Sequence, residues 1–184
     1  MTARDAGRPK RLFVACDLPP HVATAVAQWQ ARELGSHREL RVVGSLHITL
    51  AFLGDVTAAA IDDVVAALRP VAFPPFAAAL EEPVFLPERG ARHVVALRLA
   101  DPSGGLATLQ SRASHALCDA GLYQPPRRPW LAHVTVARFR RPGHPFILQN
   151  VNIPEFGVDR MVLYSSLLER AGAVHTPLAE FPAS

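Results

Sequence analysis

The sequence predicts a mixed α-and-β fold of two lobes built around one shared core. Three observations predict it. Segments with strand alternation and segments with helical periodicity interleave along all 184 residues. Two of the strand segments carry near-identical motifs, and these fall in different halves of the order. No low-complexity stretch or flexible linker separates the halves, so residues 1–184 read as one bilobal unit.

Residues 1–10 are polar, lack the apolar centre of a secretion signal, and read as a frayed tail. Arg11 to Asp17 then reads as a buried strand. Pro19-Pro20 open a helix through about Leu34, since proline is tolerated in a first helical turn. Arg41 to Leu53 is expected to be one strand, stopped by the turn signal Gly54-Asp55. Ile61, Val64, Val65 and Leu68 have helical spacing, which predicts an amphipathic helix over Ala58 to Arg69. Prolines from Pro70 to Pro75 end it. Phe76 to Leu86 and His93 to Leu99 read as a hairpin across Pro87-Glu88-Arg89-Gly90. Asp101-Pro102 form a plausible N-cap and first-turn pair for a helix carrying Leu106, Leu109, Ala113 and Leu117 and stopping at Gly121. A proline- and arginine-rich loop, Gln124 to Pro129, leads to the second motif strand. Phe156 to Leu168 and Val174 to Phe181 close the chain as strands.

The motifs are Leu46-His47-Ile48-Thr49-Leu50-Ala51 and Ala132-His133-Val134-Thr135-Val136-Ala137, which agree in residue character at every position. Strand side chains alternate between faces, so each histidine shares a face with the threonine two residues on. Ile48 and Leu50, or Val134 and Val136, fill the opposite face. A lone histidine on an apolar strand is usually a satisfied core residue, and threonine is simply a good strand former. The repetition argues otherwise, because packing alone rarely produces the same pair twice at the same offset. The other six histidines lack such a context. His21 and His115 fall on helices, His37 and His144 in loops, and His93 and His175 at strand edges, where surface or structural roles suffice.

Composition narrows the classes. A 49% hydrophobic share indicates a packed globular protein. Cys16 and Cys118 cannot form a disulfide framework, and a reducing cytoplasm fits them best. No apolar run approaches the roughly 20 residues of a membrane span. Nothing suggests a self-association surface, so a monomer is expected. Net charge is only +3, but Arg127, Arg128, Arg138, Arg140 and Arg141 gather around the second motif, where they could steer an anion or form a solvated basic loop. There is no Gly-x-Ser-x-Gly elbow and no glycine-rich phosphate loop followed by lysine. Each motif offers one histidine beside a hydroxyl, without the closely spaced ligands of a zinc site, so no metal or cofactor is expected.

Two imidazoles without a metal suit acid–base chemistry near neutral pH, because their unperturbed pKa lies close to it. On a cyclic phosphodiester, one imidazole takes a proton from attacking water and the other protonates the departing ribose oxygen. Threonine hydroxyls and an arginine can hold the non-bridging oxygens.

The chain resembles the two-histidine phosphoesterases, specifically the RNA 2′,3′-cyclic phosphodiesterases also described as 2′-5′ RNA ligases. The likeness rests on His47-Ile48-Thr49-Leu50 and His133-Val134-Thr135-Val136, on Arg11-Leu12-Phe13-Val14-Ala15 with Asp17-Leu18-Pro19, on Leu46 to Gly54, and on Val162-Leu163-Tyr164-Ser165-Ser166. The resemblance implies an α+β fold, two antiparallel sheets lining a central cleft with helices outside, related by a pseudo-twofold. It implies hydrolysis of RNA 2′,3′-cyclic phosphate ends to 2′-phosphomonoesters, with 2′-5′ ligation as the reverse direction. By the same likeness His47 is the proton donor, His133 the proton acceptor, and Thr49, Thr135 and Arg138 bind the phosphate. Arg138 lies five residues beyond His133, so a regular strand would aim it away, and only a bulge or the strand's end could redirect it. Phe13 and Phe52 are candidates to stack a base, with core packing the plainer role for both. Another cyclic phosphate, a 2′-5′ oligonucleotide, or a non-catalytic RNA-end-binding module are the alternatives left open.

Overall fold

In the computed structural model, residues 9–169 and 172–184 are described, so most of the expected tail lies outside the described residues. The strands are β1 (Lys10–Asp17), β2 (Leu40–Val42), β3 (His47–Val56), β4 (Phe76–Leu86), β5 (Arg92–Ala100), β6 (His133–Gly143), β7 (Phe156–Val158), β8 (Arg160–Glu169) and β9 (Gly172–Pro182). The helices are α1 (Pro20–Leu34), α2 (Ile61–Leu68), entered through a 3₁₀ turn, and α3 (Gly105–Asp119). Pro20 sits at the start of α1 as expected. Asp101 does serve α3, but from outside the cap position: its carboxylate accepts the Leu106 and Ala107 amides at 3.1 and 2.9 Å.

All pairings are antiparallel, in the spatial order β7-β4-β5-β6-β3-β1-β8-β9, with β2 against the far part of β6. The two motif strands therefore stand at the middle of the array. They touch at one bridge, Ile48 opposite Val134, beyond which β3 stays with β1 while β6 stays with β5 and β2. Two antiparallel halves thus meet along a seam made by the two motifs.

Three expectations are corrected. The strand expected over Arg41 to Leu53 is broken at 43–46, because β2 pairs with β6 whereas β3 pairs with β1. Gly54-Asp55 is no stop: Leu12 faces Gly54 and Lys10 faces Val56, with Leu53 left over as an extra residue. Gly54 takes φ 75° there, a backbone conformation glycine adopts without cost, so it marks a bulge inside the strand. Asp159 likewise separates β7 from β8 within the segment expected as one strand.

One hydrophobic cluster joins both halves. Val22, Val26, Trp29 and Leu34 of α1 and Leu106, Leu109, Ala113 and Leu117 of α3 meet Leu12, Val14, Ile48, Leu50, Val134 and Val136 of the sheet. Burying the Ile48 and Val134 faces of the motif strands is worth about 1.5–3 kcal/mol per side chain. That burial fixes which face of each strand looks outward. Cys16 is a buried free thiol, pushed up to about 12 by burial, and Cys118 is also free. Among the described residues no helix is long and apolar enough to cross a membrane.

Candidate active site

Each motif strand exposes its surface in the same sequence. His47 and Thr49 are half-buried while Ile48, Leu50 and Ala51 are buried and Phe52 is exposed. His133 and Thr135 are half-buried while Val134, Val136 and Ala137 are buried and Arg138 is exposed. The doublets Leu50-Ala51 and Val136-Ala137 break the alternation because each strand carries a bulge. Thr135 faces Ala96 and Ala137 faces Val95, leaving Val136 as the extra residue. Thr49 faces Ala15 and Ala51 faces Val14, leaving Leu50 extra. One inserted residue reverses the facing of everything after it. The bulge on β6 thereby brings Arg138 round to the side of Thr135, and the matching bulge brings Phe52 round to the side of Thr49.

Bulges leave backbone groups outside the ladder, and here each extra residue's carbonyl receives a glutamine from a helix. Gln30 of α1, 4% exposed, donates its amide to Val136 O at 2.8 Å and to Val43 O at 2.9 Å. Gln110 of α3 reaches Leu50 O at 3.4 Å.

The imidazoles are also held alike. His47 Nδ1 donates to Ser45 O at 3.1 Å, and His133 Nδ1 donates to Leu131 O at 2.8 Å. A carbonyl only accepts, so Nδ1 carries the hydrogen and Nε2 is the nitrogen free to exchange a proton. Trp130, just before the second motif, donates its indole N–H to Thr49 O at 3.0 Å and ties the motifs together.

A cavity of about 530 Å³ opens over this seam. His47, Thr49 and Phe52 of β3, Thr135 and Arg138 of β6, and Phe13 of β1 are among its walls. His133 is not among them, although its charge acts on His47. Phe13 is 3% exposed and its ring meets His47 and Tyr164, combining core packing with a place on the wall. Core packing is overturned for Phe52, which is 46% exposed on the rim because the bulge turns it outward. The Arg11 guanidinium lies 4.9 Å over its ring. Of the five arginines noted near the second motif, only Arg138 lines this cavity, although Arg128 acts on His133 by its charge. Arg140 instead donates to Arg38 O, away from the cavity. The sequence reading missed Arg41, which also lines the cavity and stands directly opposite Arg138 across β2 and β6. Like charges so placed repel, an arrangement that an anion between them relieves.

Also missed was His175 of β9, assigned to a strand edge from sequence. It lines the cavity, with its ring centroid 5.1 Å from that of His47 and 4.8 Å from that of Phe13. Nothing local to His175 signals this, because only the pairing of β8 with β1 brings β9 to the cleft. Among the described residues no three histidine, cysteine or acidic side chains gather as a metal-binding group.

Burial, then the nearby His175, push His47 down to about 4, against the opposing pull of its bond to Ser45. Burial lowers His133 and His175 too. The unfolded chain therefore binds protons that the folded chain refuses. Stability from these groups is complete above about pH 6.5, the ordinary histidine value, and is lost as pH falls toward about 4. The urea midpoint is expected to drop between pH 7.5 and pH 5, to drop less in His47→Ala, and to recover partly with inorganic phosphate. An equal drop in His47→Ala would remove this histidine from the account.

Comparison with known proteins follows the same lines. Residues 18–169 match the family model described as the 2′-5′ RNA ligase superfamily. The chain belongs to that superfamily. It is 29% identical over 178 residues to the RNA 2′,3′-cyclic phosphodiesterase of Escherichia coli (strain K12), covering 92% of this chain and 94% of that protein. Crystal structures of E. coli LigT, in apo form and with 3′-AMP, superpose with a TM-score of 0.83 at 26% identity, over 96% of this chain and 99% of theirs. A protein from Thermus thermophilus matches at a TM-score of 0.81 and 26% identity, over 94% of this chain and 97% of its own.

Proposed function

We propose that this chain, acting as one bilobal unit, hydrolyses RNA 2′,3′-cyclic phosphate ends to 2′-phosphomonoesters without a metal. The observation that carries the reading is the pair of imidazoles pinned alike through Nδ1, one on each central strand, with Nε2 left for proton transfer. His133 takes a proton from water, whose oxygen attacks phosphorus opposite the 3′ oxygen. The P–O3′ bond breaks, and His47 gives its Nε2 proton to O3′. Thr49, Thr135 and Arg138 hold the non-bridging oxygens as charge redistributes. Phe52, exposed on the rim, offers ring surface to a base, while Phe13 packs behind His47 in the wall.

A general acid lowered to about 4 holds little proton at pH 7 in an empty cleft. The phosphodiester anion changes this, since a nearby negative charge favours the imidazolium. The relative from E. coli named as an RNA 2′,3′-cyclic phosphodiesterase supports the substrate class. The test is an oligonucleotide ending in a 2′,3′-cyclic phosphate, incubated with EDTA over a pH series. A 2′-phosphate end and a bell-shaped profile are expected. Activity lost to chelator and restored by zinc would refute the two-imidazole route. Tight binding with no turnover of any cyclic phosphate would make the chain an RNA-end-binding module instead.

A further inference from the structure

His175 belongs to neither motif, yet it is tied to the first one through a single residue. Ser45 gives its carbonyl to His47 Nδ1 at 3.1 Å, and its hydroxyl hydrogen-bonds His175 Nδ1 at 2.9 Å. Ser45 lies in the bend between β2 and β3, outside the ladder of either strand. Its carbonyl is thus placed by whatever holds that bend. The corresponding approach to His133 is held by the Leu99 amide on Ala132 O at 3.1 Å and by Trp130 on Thr49 O. The approach to His47 is held at Val43, whose amide reaches Val136 O at 2.9 Å, and then at Ser45 by His175. The His175 ring also stands edge-on to His47 at 72° between planes, and to Phe13 at 69°, so its own orientation is fixed on two sides.

We propose that His175 is a positioning residue, which grips Ser45 so that the serine carbonyl sets the orientation and tautomer of His47. The inference rests on the reading of His47 as the proton donor. The charged and titratable groups around the pair are Arg11 and Asp17 of β1, Arg41 of β2, His133 and Arg138 of β6, and Tyr164 of β8. Asp17 stands opposite His47 across β1 and β3, and its carboxylate accepts the Tyr164 hydroxyl at 2.8 Å. A proton on His175 also opposes one on His47, so the same residue couples cleft pH response to geometry.

The experiment uses the full chain and three single variants, Ser45→Ala, His175→Phe and His175→Asn, with the double variant Ser45→Ala/His175→Phe. Steady-state rates on adenosine 2′,3′-cyclic phosphate are measured across pH, and the His47 tautomer is read by imidazole nitrogen NMR without substrate. Ser45→Ala and His175→Phe are each expected to lower kcat about tenfold with KM within about twofold. Both should reduce the population of His47 protonated at Nδ1. The double variant should be no worse than either single, as for residues acting through one contact. His175→Asn, which keeps a hydrogen-bonding group near Ser45 without a titrating charge, should recover most of kcat and move the alkaline limb, set by the proton on His47, to higher pH. A rise in KM with kcat intact would make His175 a substrate contact and overturn the proposal. So would a wild-type kcat and an unaltered His47 tautomer in His175→Phe. If the wild-type chain turns over no cyclic phosphate, the functional reading fails, while the NMR measurement still decides whether His175 sets the His47 tautomer.

Discussion

Replacing His133 with alanine is expected to lower the hydrolysis rate by about 10²–10⁴-fold, and His47→Ala by a comparable factor. On the proposed mechanism each transition state needs one proton removed from water and one delivered to O3′, and the two motif strands carry one pinned imidazole each. Neither loss can be covered by the other histidine, which stands on the opposite central strand. The double variant should therefore be little worse than the poorer single, because a half-equipped site already runs on phosphate binding alone. The fold should survive, since both rings are half-buried and their neighbours Ile48 and Val134 keep the seam packed. Thr49→Ala and Thr135→Ala should cost less, each removing one hydroxyl from an anion that has other donors. Initial rates on the cyclic-phosphate oligonucleotide, with thermal melting as the control for folding, decide this. A His133→Ala variant within about tenfold of wild type would end the general-base role.

Much of this site is visible in residue order because strand alternation is a short-range rule. His47 with Thr49, and His133 with Thr135, needed only a two-residue period and an apolar opposite face to be placed on the outer side of the sheet. The bulges left a trace as well. Leu50-Ala51 and Val136-Ala137 are apolar doublets at matching positions, each beginning at the extra residue of a bulge. What sequence could not supply is long-range pairing. His175 reaches the cleft only because β9 is carried there by β8 and β1, and Arg41 only because β2 leaves the path of β3 to pair with β6. Gly54 misled for a physical reason: a left-handed glycine serves a turn and a bulge equally well, and only the partner strand distinguishes them. Phe52 misled likewise, since a phenylalanine in an apolar run reads as core until the bulge behind it is known.

Removing Arg138 is the second large effect, and the bulge makes it testable from two directions. Arg138→Ala is expected to lower kcat/KM by about 10²–10³-fold, the scale for deleting one preorganised donor to developing charge. Arg138→Lys should recover only part, because an ammonium lacks the planar fork that meets two phosphate oxygens at once. The same guanidinium can be disturbed without touching it. Gln30 bridges Val43 O and Val136 O, so Gln30→Leu keeps the apolar volume but strips a donor from the carbonyl of the extra residue that aims Arg138. Val136 O retains the Val43 amide, whereas Val43 O loses its side-chain donor. The fold should weaken by about 1–3 kcal/mol, the usual cost of an unsatisfied buried polar group. Gln30→Glu should be worse, since it sets a carboxylate against two carbonyl oxygens. Turnover in Gln30→Leu should fall in the same direction as in Arg138→Ala but less far, and adding that substitution to Arg138→Ala should cost no further activity. Full additivity of the two losses would mean that Gln30 supports the site by a route other than the bulge.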